Sequence, residues 1–403
     1  MRRLINLSAF VLAMLIIVFM LIPTKTVNRN ATVYVEHEWD TLENVILGSP
    51  KMLSVPQIHK SILGYGYIVN NEKIMKEAPG KPIQQVNPFV YSNITTESDG
   101  VAKELKDKSV NVVRFNPEVL DLAELQFMKN IQQGNNFLYP KDAVFVVGNN
   151  VIECSQRVPM RDKERYIVRR IFKKLTADDP SVRYIAVPAP SPSFPDKGLY
   201  LEGSDVLVDG NNVYVGCSGR GTSPSGVRWL QSVLGPKYKV YRVDFSGFVH
   251  LNSVLTLVRP GLGIRVSGAI KSDLPKPIAK WDFIEVKPED AKLYATSILV
   301  VGPNKVLVDE RFEPLIEQLR NKNVDVTVVP FEEISGLGGG LGSFYSPIKR
   351  TYNKEINTEK INAEYFKKHF NDFLESVKTF NYSEFFSNRS EEHTSELQSH
   401  SDL

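Results

Sequence analysis

A glycine-rich run near the end of the sequence leads directly to a hydroxyl residue. Three consecutive glycines begin at Gly338, and Ser343 follows shortly after them. Consecutive glycines let a backbone come very close to another group. Far upstream lies His250, followed two positions later by Asn252. A histidine and a hydroxyl side chain that meet in space are a candidate catalytic pair, because the imidazole can move protons for the nucleophile.

Repeated strand signals predict how residues so far apart in sequence could meet. A run of β-branched residues, a turn of Gly, Asn or Asp, and a second such run predict a β-hairpin. Most of these hairpins lead into a stretch with helical spacing. A hairpin-plus-helix unit repeated about five times predicts a closed radial array, in which strand ends surround one axis. The hairpin patterns cover residues 142–154, 205–216, 297–309 and, more loosely, 255–266.

Four short motifs lie on this framework in a fixed order. They are Pro140-Lys141-Asp142, Leu-Glu-Gly-Ser-Asp at 201–205, His-Leu-Asn at 250–252, and the glycine run that ends at Ser343. In this order they resemble the motifs of the amidinotransferase family. That family lies in the guanidino-group-modifying superfamily, with glycine amidinotransferase, arginine deiminase and dimethylargininase. The resemblance covers roughly residues 36–350. It implies an α/β fold of five ββαβ-like units around a pseudo-fivefold axis, a five-bladed propeller called a pentein.

The chemistry of the guanidinium group explains the residue types in these motifs. The group is planar and charged, and carboxylates bind its N–H fork through paired hydrogen bonds. A thiolate attacks the central carbon because it is nucleophilic near neutral pH. A histidine protonates the leaving amine and then activates the second acceptor. That acceptor is an amine in an amidinotransferase and water in a hydrolase.

The resemblance assigns a role to each motif residue by its position. It implies that Asp142 binds the guanidinium, that Glu202 holds and polarises His250, and that His250 is the general acid and base. Ser343 stands where the family has its nucleophilic cysteine, and Asn252 stands where it has a second guanidinium-binding aspartate. An alcohol has a far higher pKa than a thiol, and a neutral amide compensates a buried cation less well. The two departures together predict impaired turnover.

Other side chains near the motifs receive more modest interpretations. Arg220 either binds a substrate carboxylate or pairs with an acid. Asp205 is interpreted as a structural turn residue, and Arg161 as a surface residue of a helix. Cys154 and Cys217 both follow strand runs and do not replace the missing thiol, although in an exported protein they could form a disulfide. No cofactor and no metal ion are expected.

The N-terminal residues predict a membrane segment. Arg2 and Arg3 precede a stretch, residues 4–22, whose only polar residues are Asn6 and Ser8. About twenty apolar residues suffice to cross a bilayer, and the basic flank favours an N-in orientation with the domain outside the cytoplasm. Residues 1–23 are therefore predicted to be an uncleaved single-pass anchor. The alternative is a cleaved signal peptide and a secreted protein.

Composition and the remaining segments complete the domain assignment. Residues 24–35 are predicted as a linker, 36–352 as the amidinotransferase-like domain, and 353–388 as an amphipathic C-terminal helix. Residues 389–403 resemble a translated sequencing adaptor, so they are expected to be disordered, and their two histidines are not interpreted as metal ligands. The net charge of +3 with interspersed signs argues against nucleic-acid binding. The oligomeric state stays open.

Three functions are compatible with these observations. The first is a membrane-tethered amidinotransferase-like protein that binds a guanidino or amine compound such as arginine, with turnover impaired at Ser343. The second is an active transferase or hydrolase that acts on guanidino groups. The third is a non-catalytic binding or scaffold protein.

Overall fold

The strands of the protein build five sheets of one pattern. The structure, a computed structural model, describes residues 31–62, 73–128, 133–191 and 198–352. In these residues each sheet has three strands, of which two form an antiparallel pair and the third runs parallel to the middle one. The strands are β1 (Thr41–Leu47), β2 (Asn111–Arg114), β3 (Val144–Val147), β4 (Asn150–Glu153), β5 (Arg183–Ala186), β6 (Val206–Asp209), β7 (Asn212–Cys217), β8 (Lys239–Asp244), β9 (Leu255–Arg259), β10 (Leu262–Val266), β11 (Asp282–Val286), β12 (Leu299–Gly302), β13 (Lys305–Asp309), β14 (Asp325–Val329) and β15 (Tyr345–Thr351).

Helices connect the strands that run parallel, because such a connection must cross from one end of a sheet to the other. Four of the five crossovers contain a long helix, and the crossover between β10 and β11 consists of turns. The helices are α1 (Ile83–Val86), α2 (Pro88–Asp107), α3 (Leu122–Met128), α4 (Pro140–Ala143), α5 (Glu164–Asp178), α6 (Pro224–Leu234), α7 (Pro288–Lys292), α8 (Glu313–Asn321), α9 (Glu332–Ser335) and α10 (Leu341–Phe344).

Helix α6 illustrates how the local sequence determines a crossover. The Ser223 side chain caps its first turn by accepting a hydrogen bond from the Gly226 amide, and Pro224 occupies the first helical position, where a missing N–H costs nothing. Val227, Leu230 and Leu234 are buried, and their spacing forms one apolar stripe against the sheet. The helix therefore packs its apolar face inward and returns the chain to β8.

The first and last described strands close the ring of sheets by pairing with each other. β15 pairs antiparallel with β1, so the last described strand completes the sheet that the first strand begins. Arg350 of β15 is fully buried. Its guanidinium donates to the carbonyl oxygens of Asp40 (2.6 Å) and Val300 (2.8 Å) and to the Tyr345 hydroxyl (3.2 Å). Because Val300 lies in β12, this side chain ties the closing strand to the neighbouring repeat.

Short helical turns precede the first strand of the repeats and point to the axis. α4 precedes β3, a 3-10 turn at Gly203–Asp205 precedes β6, a 3-10 turn at Leu251–Ser253 precedes β9, and α10 precedes β15. The turns pack so closely that a side chain on Gly203 would place its Cβ 2.0 Å from the Lys141 carbonyl oxygen. The four sequence motifs are therefore the axial turns of four separate repeats.

The hairpins predicted from the sequence are present at β3–β4, β6–β7, β9–β10 and β12–β13, and the predicted α/β ring of five units is confirmed. Residues 31–35 of the predicted linker are buried or bridged to the domain, with Val35 paired to Gly148. The predicted anchor at 1–23, the helix at 353–388 and the segment 389–403 lie outside the described residues. In the described ranges no helix has the length and apolar character needed to cross a membrane. The domain boundaries stay a prediction.

The contacts of Arg350 predict a test of ring closure. We expect Arg350→Gln to lower the free energy of unfolding by about 3 kcal/mol, because buried carbonyl groups lose charged donors. The neighbouring Lys349→Gln is the control. Its ammonium pairs with Glu43 at the surface (3.1 Å), so its loss should cost no more than about 1 kcal/mol. Urea unfolding of both variants measures the difference, and equal costs would contradict the closing role of Arg350.

Candidate active site

Five of the six side chains predicted to form the site meet at the axis. Asp142, Glu202, His250, Asn252 and Ser343 come from four different turns, and none is more than 5% exposed. Hydrogen bonds and ion pairs join Asp142, His250 and Glu202 in one set, and Ser204, Ser343 and Asn252 in a second. The two sets are adjacent because Ser204 shares a turn with Glu202, and Asn252 shares one with His250. Residues separated by up to two hundred positions in sequence therefore lie side by side, as the radial arrangement predicts.

A buried histidine–glutamate pair lies at one side of the cluster. The Nε2 atom of His250 is 2.5 Å from Oε2 of Glu202, and its Nδ1 atom is 3.9 Å from Oδ1 of Asp142. The second oxygen of Glu202 accepts a hydrogen bond from the Arg157 amide (2.7 Å). Burial alone would lower the pKa of His250, but the Asp142 and Glu202 carboxylates outweigh it and raise the pKa to about 10. The imidazole is therefore protonated at neutral pH.

The Ser343 hydroxyl forms hydrogen bonds with two neutral side chains, each from a different turn. Its hydroxyl oxygen accepts hydrogen bonds from the Ser204 hydroxyl (2.9 Å) and from the Asn252 side-chain amide (2.8 Å). Neither group is a base. The other end of the Asn252 amide, its Oδ1 atom, is buried and has no hydrogen-bond partner.

The two carboxylate oxygens of Asp142 have different surroundings. Its Oδ2 atom accepts a hydrogen bond from the Arg161 guanidinium, whereas its Oδ1 atom is buried without a hydrogen-bond partner. Burial raises the pKa of the Asp142 carboxyl, but the charges of His250 and Arg161 outweigh it, so the pKa lies below its ordinary value. Asp142 is therefore a carboxylate that still offers one acceptor oxygen.

Arg161 is a core residue of this site, so its interpretation as a surface helix residue is wrong. It is 5% exposed and ends a 3-10 turn just before α5. Besides Asp142, its guanidinium contacts both oxygens of Glu164 (2.7 and 2.9 Å) and the Tyr139 carbonyl oxygen (3.0 Å). Burial raises the pKa of Glu164 to about 7, although Arg161 opposes this. The sequence pattern does not indicate this role, because it does not show that the Arg161 side chain points inward to Asp142 and Glu164.

The loop 218–222 lies against the imidazole of His250, and a hydrogen bond to Asp205 holds this loop in place. One Asp205 oxygen accepts from the Thr222 amide (2.8 Å) and the other from the Leu251 amide (2.9 Å), so the residue has the structural role predicted for it. Burial raises its pKa to about 6. A Cβ on Gly221 would lie 3.0 Å from His250. Arg220, the residue before Gly221, is exposed and lies on the loop beside the cluster, not in the buried group.

The two cysteines do not supply a nucleophile. Cys154 and Cys217 are both free and buried, so the disulfide considered for an exported protein is not formed. Burial raises the pKa of the Cys154 thiol well above its usual value and that of Cys217 to about 12. Both thiols are therefore neutral at physiological pH and lack thiolate character.

A positional rule in the sequence could have located the missed hydroxyl of Ser204. The residue two positions before the first strand of a repeat belongs to the site in three repeats, whose first strands begin at Val144, Val206 and Tyr345. These residues are Asp142, Ser204 and Ser343.

In the described part of the chain no group of three or more His, Cys, Asp or Glu side chains is placed to hold a metal ion.

Five sheets around an axis, with a buried His–Glu pair and a carboxylate at its centre, form a fold of the pentein type. Comparison with solved structures supports this fold. The inosamine-phosphate amidinotransferase of Streptomyces griseus superposes with a TM-score of 0.66 at 23% identity, covering 80% of this chain and 98% of the other. A mutant of dimethylarginine dimethylaminohydrolase from Pseudomonas aeruginosa gives a TM-score of 0.51 at 14% identity, covering 76% and 99%.

Sequence comparison confirms the resemblance to the amidinotransferase family that the four motifs predict. The chain is 29% identical over 348 residues to a putative inosamine-phosphate amidinotransferase 2 from Streptomyces griseus, which covers 79% of this chain and 96% of that protein. It is 23% identical to the L-arginine:L-lysine amidinotransferase of Pseudomonas savastanoi pv. phaseolicola, which covers 78% and 93%. No family model matches the chain.

The raised pKa of His250 predicts a pH dependence of stability. Folded His250 keeps its proton up to about pH 10, whereas the unfolded chain releases it near pH 6.5. This stabilisation is complete below pH 6.5 and is lost as the pH rises towards 10. We expect the free energy of unfolding to fall by up to about 1.4 kcal/mol per pH unit in this window. Urea unfolding of His250→Gln should show a flatter profile, and an unchanged slope would contradict the assignment.

Proposed function

We propose that this protein binds a guanidino or amine cation at the axial site and turns it over poorly. The observation that carries the proposal is a pair of buried oxygen atoms without hydrogen-bond partners, Asp142 Oδ1 and Asn252 Oδ1, both on side chains of the axial turns. A buried acceptor without a donor is unfavourable. A cationic ligand with several N–H groups would supply the donors that these atoms lack.

The charge of the cluster also favours a cationic ligand. Three carboxylates, those of Asp142, Glu164 and Glu202, face two cations, Arg161 and the protonated His250. When all are ionised the group carries an excess negative charge, and the pKa of Glu164 is raised to about 7, chiefly by its burial. A bound guanidinium or ammonium would compensate that charge in surroundings of low dielectric constant.

Two related proteins support this ligand class. The name of the L-arginine:L-lysine amidinotransferase states an arginine substrate for that protein. The Pseudomonas aeruginosa structure is a cysteine-to-serine mutant complexed with citrulline. That structure thus holds a ligand related to arginine, which supports the proposed ligand class.

Impaired turnover follows from the surroundings of Ser343. Attack on a guanidinium carbon by an alcohol requires a base, and both partners of this hydroxyl are neutral. His250 is held as an imidazolium by two carboxylates, with its pKa raised to about 10, so it can donate a proton far more readily than it can accept one. The proposed state is a site that holds its ligand beside an unactivated hydroxyl.

The preserved His250–Glu202 pair favours a second candidate function, an active transferase or hydrolase. In that case the imidazolium would protonate the leaving amine of a guanidino compound, as the family chemistry requires. Turnover is therefore the decisive measurement between the two. A protein that neither binds nor converts guanidino compounds would correspond to the third function, a scaffold.

We also propose that residues 1–23 tether the domain to a membrane with the domain outside the cytoplasm, or direct its secretion. The apolar stretch at 4–22 and the two preceding arginines support this. Protease added to intact cells should then digest the domain. Digestion only after lysis would contradict an extracytoplasmic location.

The first prediction for this site concerns turnover. We expect purified protein incubated with labelled arginine and glycine to form ornithine, citrulline or urea at no higher rate than His250→Ala, because Ser343 lacks a base. Arginine at a hundred times its dissociation constant should still stabilise the wild type by about 2.7 kcal/mol, seen as a rise in melting temperature. Product formation clearly above the His250→Ala control would establish the active enzyme instead.

A second prediction concerns a variant that carries the family's residues at positions 343 and 252. We expect the double variant Ser343→Cys, Asn252→Asp to gain turnover of about 100-fold or more over wild type, equivalent to about 3 kcal/mol of barrier. Asn252→Asp alone should bind arginine about tenfold more tightly, since a charged acceptor strengthens the hydrogen bond. Ser343→Ala is the control and should leave turnover at background. A double variant without gain would mean that the pocket differs elsewhere.

A further inference from the structure

A groove on the protein surface combines exposed apolar side chains with lysines. Residues 52–54, residues 79–82, helix α3 and the residue before α5 contribute to its walls. Leu122, the first residue of α3, is 85% exposed, more than any other large apolar side chain in the described residues, and Met52 is half-exposed. Several such side chains in one concave region indicate a contact surface. The apolar residues of the groove are Met52, Pro79, Pro82, Leu122, Leu125 and Met128.

The groove is positively charged. Among the described residues that line it there is no aspartate or glutamate, and two are lysines, Lys81 and Lys163. Lys81 is exposed, whereas Lys163 is buried and donates to the Gly134 carbonyl oxygen (2.6 Å). Apolar side chains beside lysines match the boundary between the acyl chains and the phosphates of a bilayer. Acids on and before α3 are paired with basic side chains, as Glu118–Lys51, Asp121–Arg170 and Glu124–Arg170.

Helix α3 presents its first residue on a rigid support. The Arg170 guanidinium of α5 donates to Asp121 (2.6 Å) and to Glu124 (2.9 Å). Farther along α3, the Phe127 ring packs edge-on against Tyr166 of α5, with the ring centroids 5.6 Å apart. These contacts fix the helix on α5, so the exposed start of α3 belongs to an ordered surface.

The described chain begins one helix length from the groove. Lys163 lies immediately before α5, and Asp179 lies immediately after it. Asp179 accepts a hydrogen bond from the Thr32 amide (2.9 Å). Helix α5 has 15 residues, a length of about 22 Å. The residues between the predicted anchor and Thr32 are 24–31, and such a segment spans up to about 28 Å when extended. A membrane that holds the anchor is therefore within reach of the groove.

We propose that this groove is a membrane-docking surface, which seats the domain on the bilayer that holds residues 4–22. Leu122 and Met52 enter the boundary between headgroups and acyl chains, and Lys81 contacts lipid phosphates. The inference rests on the proposed tether and goes beyond it. A tether alone leaves the domain free to turn, whereas docking keeps one face of the domain on the membrane.

A nitroxide label in the groove tests the proposal in full-length protein, reconstituted into vesicles of phosphatidylcholine and phosphatidylglycerol. Cys154 and Cys217 are buried, and burial raises the pKa of both thiols, so the reagent is directed to a new cysteine. Leu122→Cys carries the label in the groove. Leu293→Cys is the matched control, because Leu293 is 52% exposed and lies between β11 and β12. The ratio of collisions with oxygen, which concentrates in lipid, to collisions with an aqueous nickel chelate should be several-fold higher at position 122 than at 293.

Three results would overturn the docking surface. The first is a similar collision ratio at the two positions. The second is spectral broadening at position 122 that disappears on dilution with unlabelled protein, because it would show that a second copy of the chain covers the groove. The third is wild-type protein that does not float with the vesicles, in which case the proposed tether fails and this inference fails with it. Protein that floats but keeps position 122 in water contradicts the docking alone.

A charge variant tests the lipid chemistry. In protein labelled at position 122, Lys81→Gln should lower the ratio of docked to undocked protein about fivefold in vesicles that contain phosphatidylglycerol, because a lysine near an anionic surface contributes a factor of about this size. The effect should be smaller in phosphatidylcholine alone. Lys305→Gln is the control, since Lys305 is an exposed lysine of β13, and it should change neither ratio. Equal effects of the two substitutions would contradict a contact between Lys81 and lipid phosphates.

Discussion

Burial of polar side chains at the axis is the constraint on which the rest of this structure depends. Each turn that precedes a first strand directs a polar group inward, where solvent cannot satisfy it. Two of the contacts join different repeats: Glu202 holds His250, and Ser204 donates to Ser343. The bond from Arg161 to Asp142 lies within one repeat. The two contacts between repeats form only when the repeats are assembled in a ring. The same contacts therefore complete the fold and build the candidate site.

The repeats could be predicted from the sequence because their signals are local. The hairpin β6–β7 turns at Gly210, whose φ of +61° suits glycine, and β12–β13 turns at Asn304, with φ of +57°. The pairing of β1 with β15 could not be derived in this way, since it joins residues about three hundred positions apart. Nothing near Thr41 in sequence specifies Thr351 as its partner. The repetition of the unit predicted a closed array, but it did not show which two strands close it.

Some residues of the site could likewise be predicted from local sequence, and others could not. The motifs place His250, Glu202 and Asn252 at turns before strands, and the turns do converge. Arg161 was misassigned because helical spacing identifies an apolar stripe but does not show where the residue before the helix points. Its burial is explained by Asp142, which lies in a separate axial turn. A charged residue at the boundary of an element is determined by its partner, and that partner is not visible in a local pattern.

The two departures from the family motifs are consistent with each other in physical terms. The Asn252 amide donates a hydrogen bond to the Ser343 oxygen at 2.8 Å. An aspartate at position 252 would be an acceptor when ionised and could not make that bond, and a thiol at 343 would be a weaker acceptor than a hydroxyl. Each replacement thus suits the other better than it suits the residue it replaces. The pair stabilises a hydroxyl that accepts two hydrogen bonds, and this arrangement holds the oxygen in place without drawing off its proton.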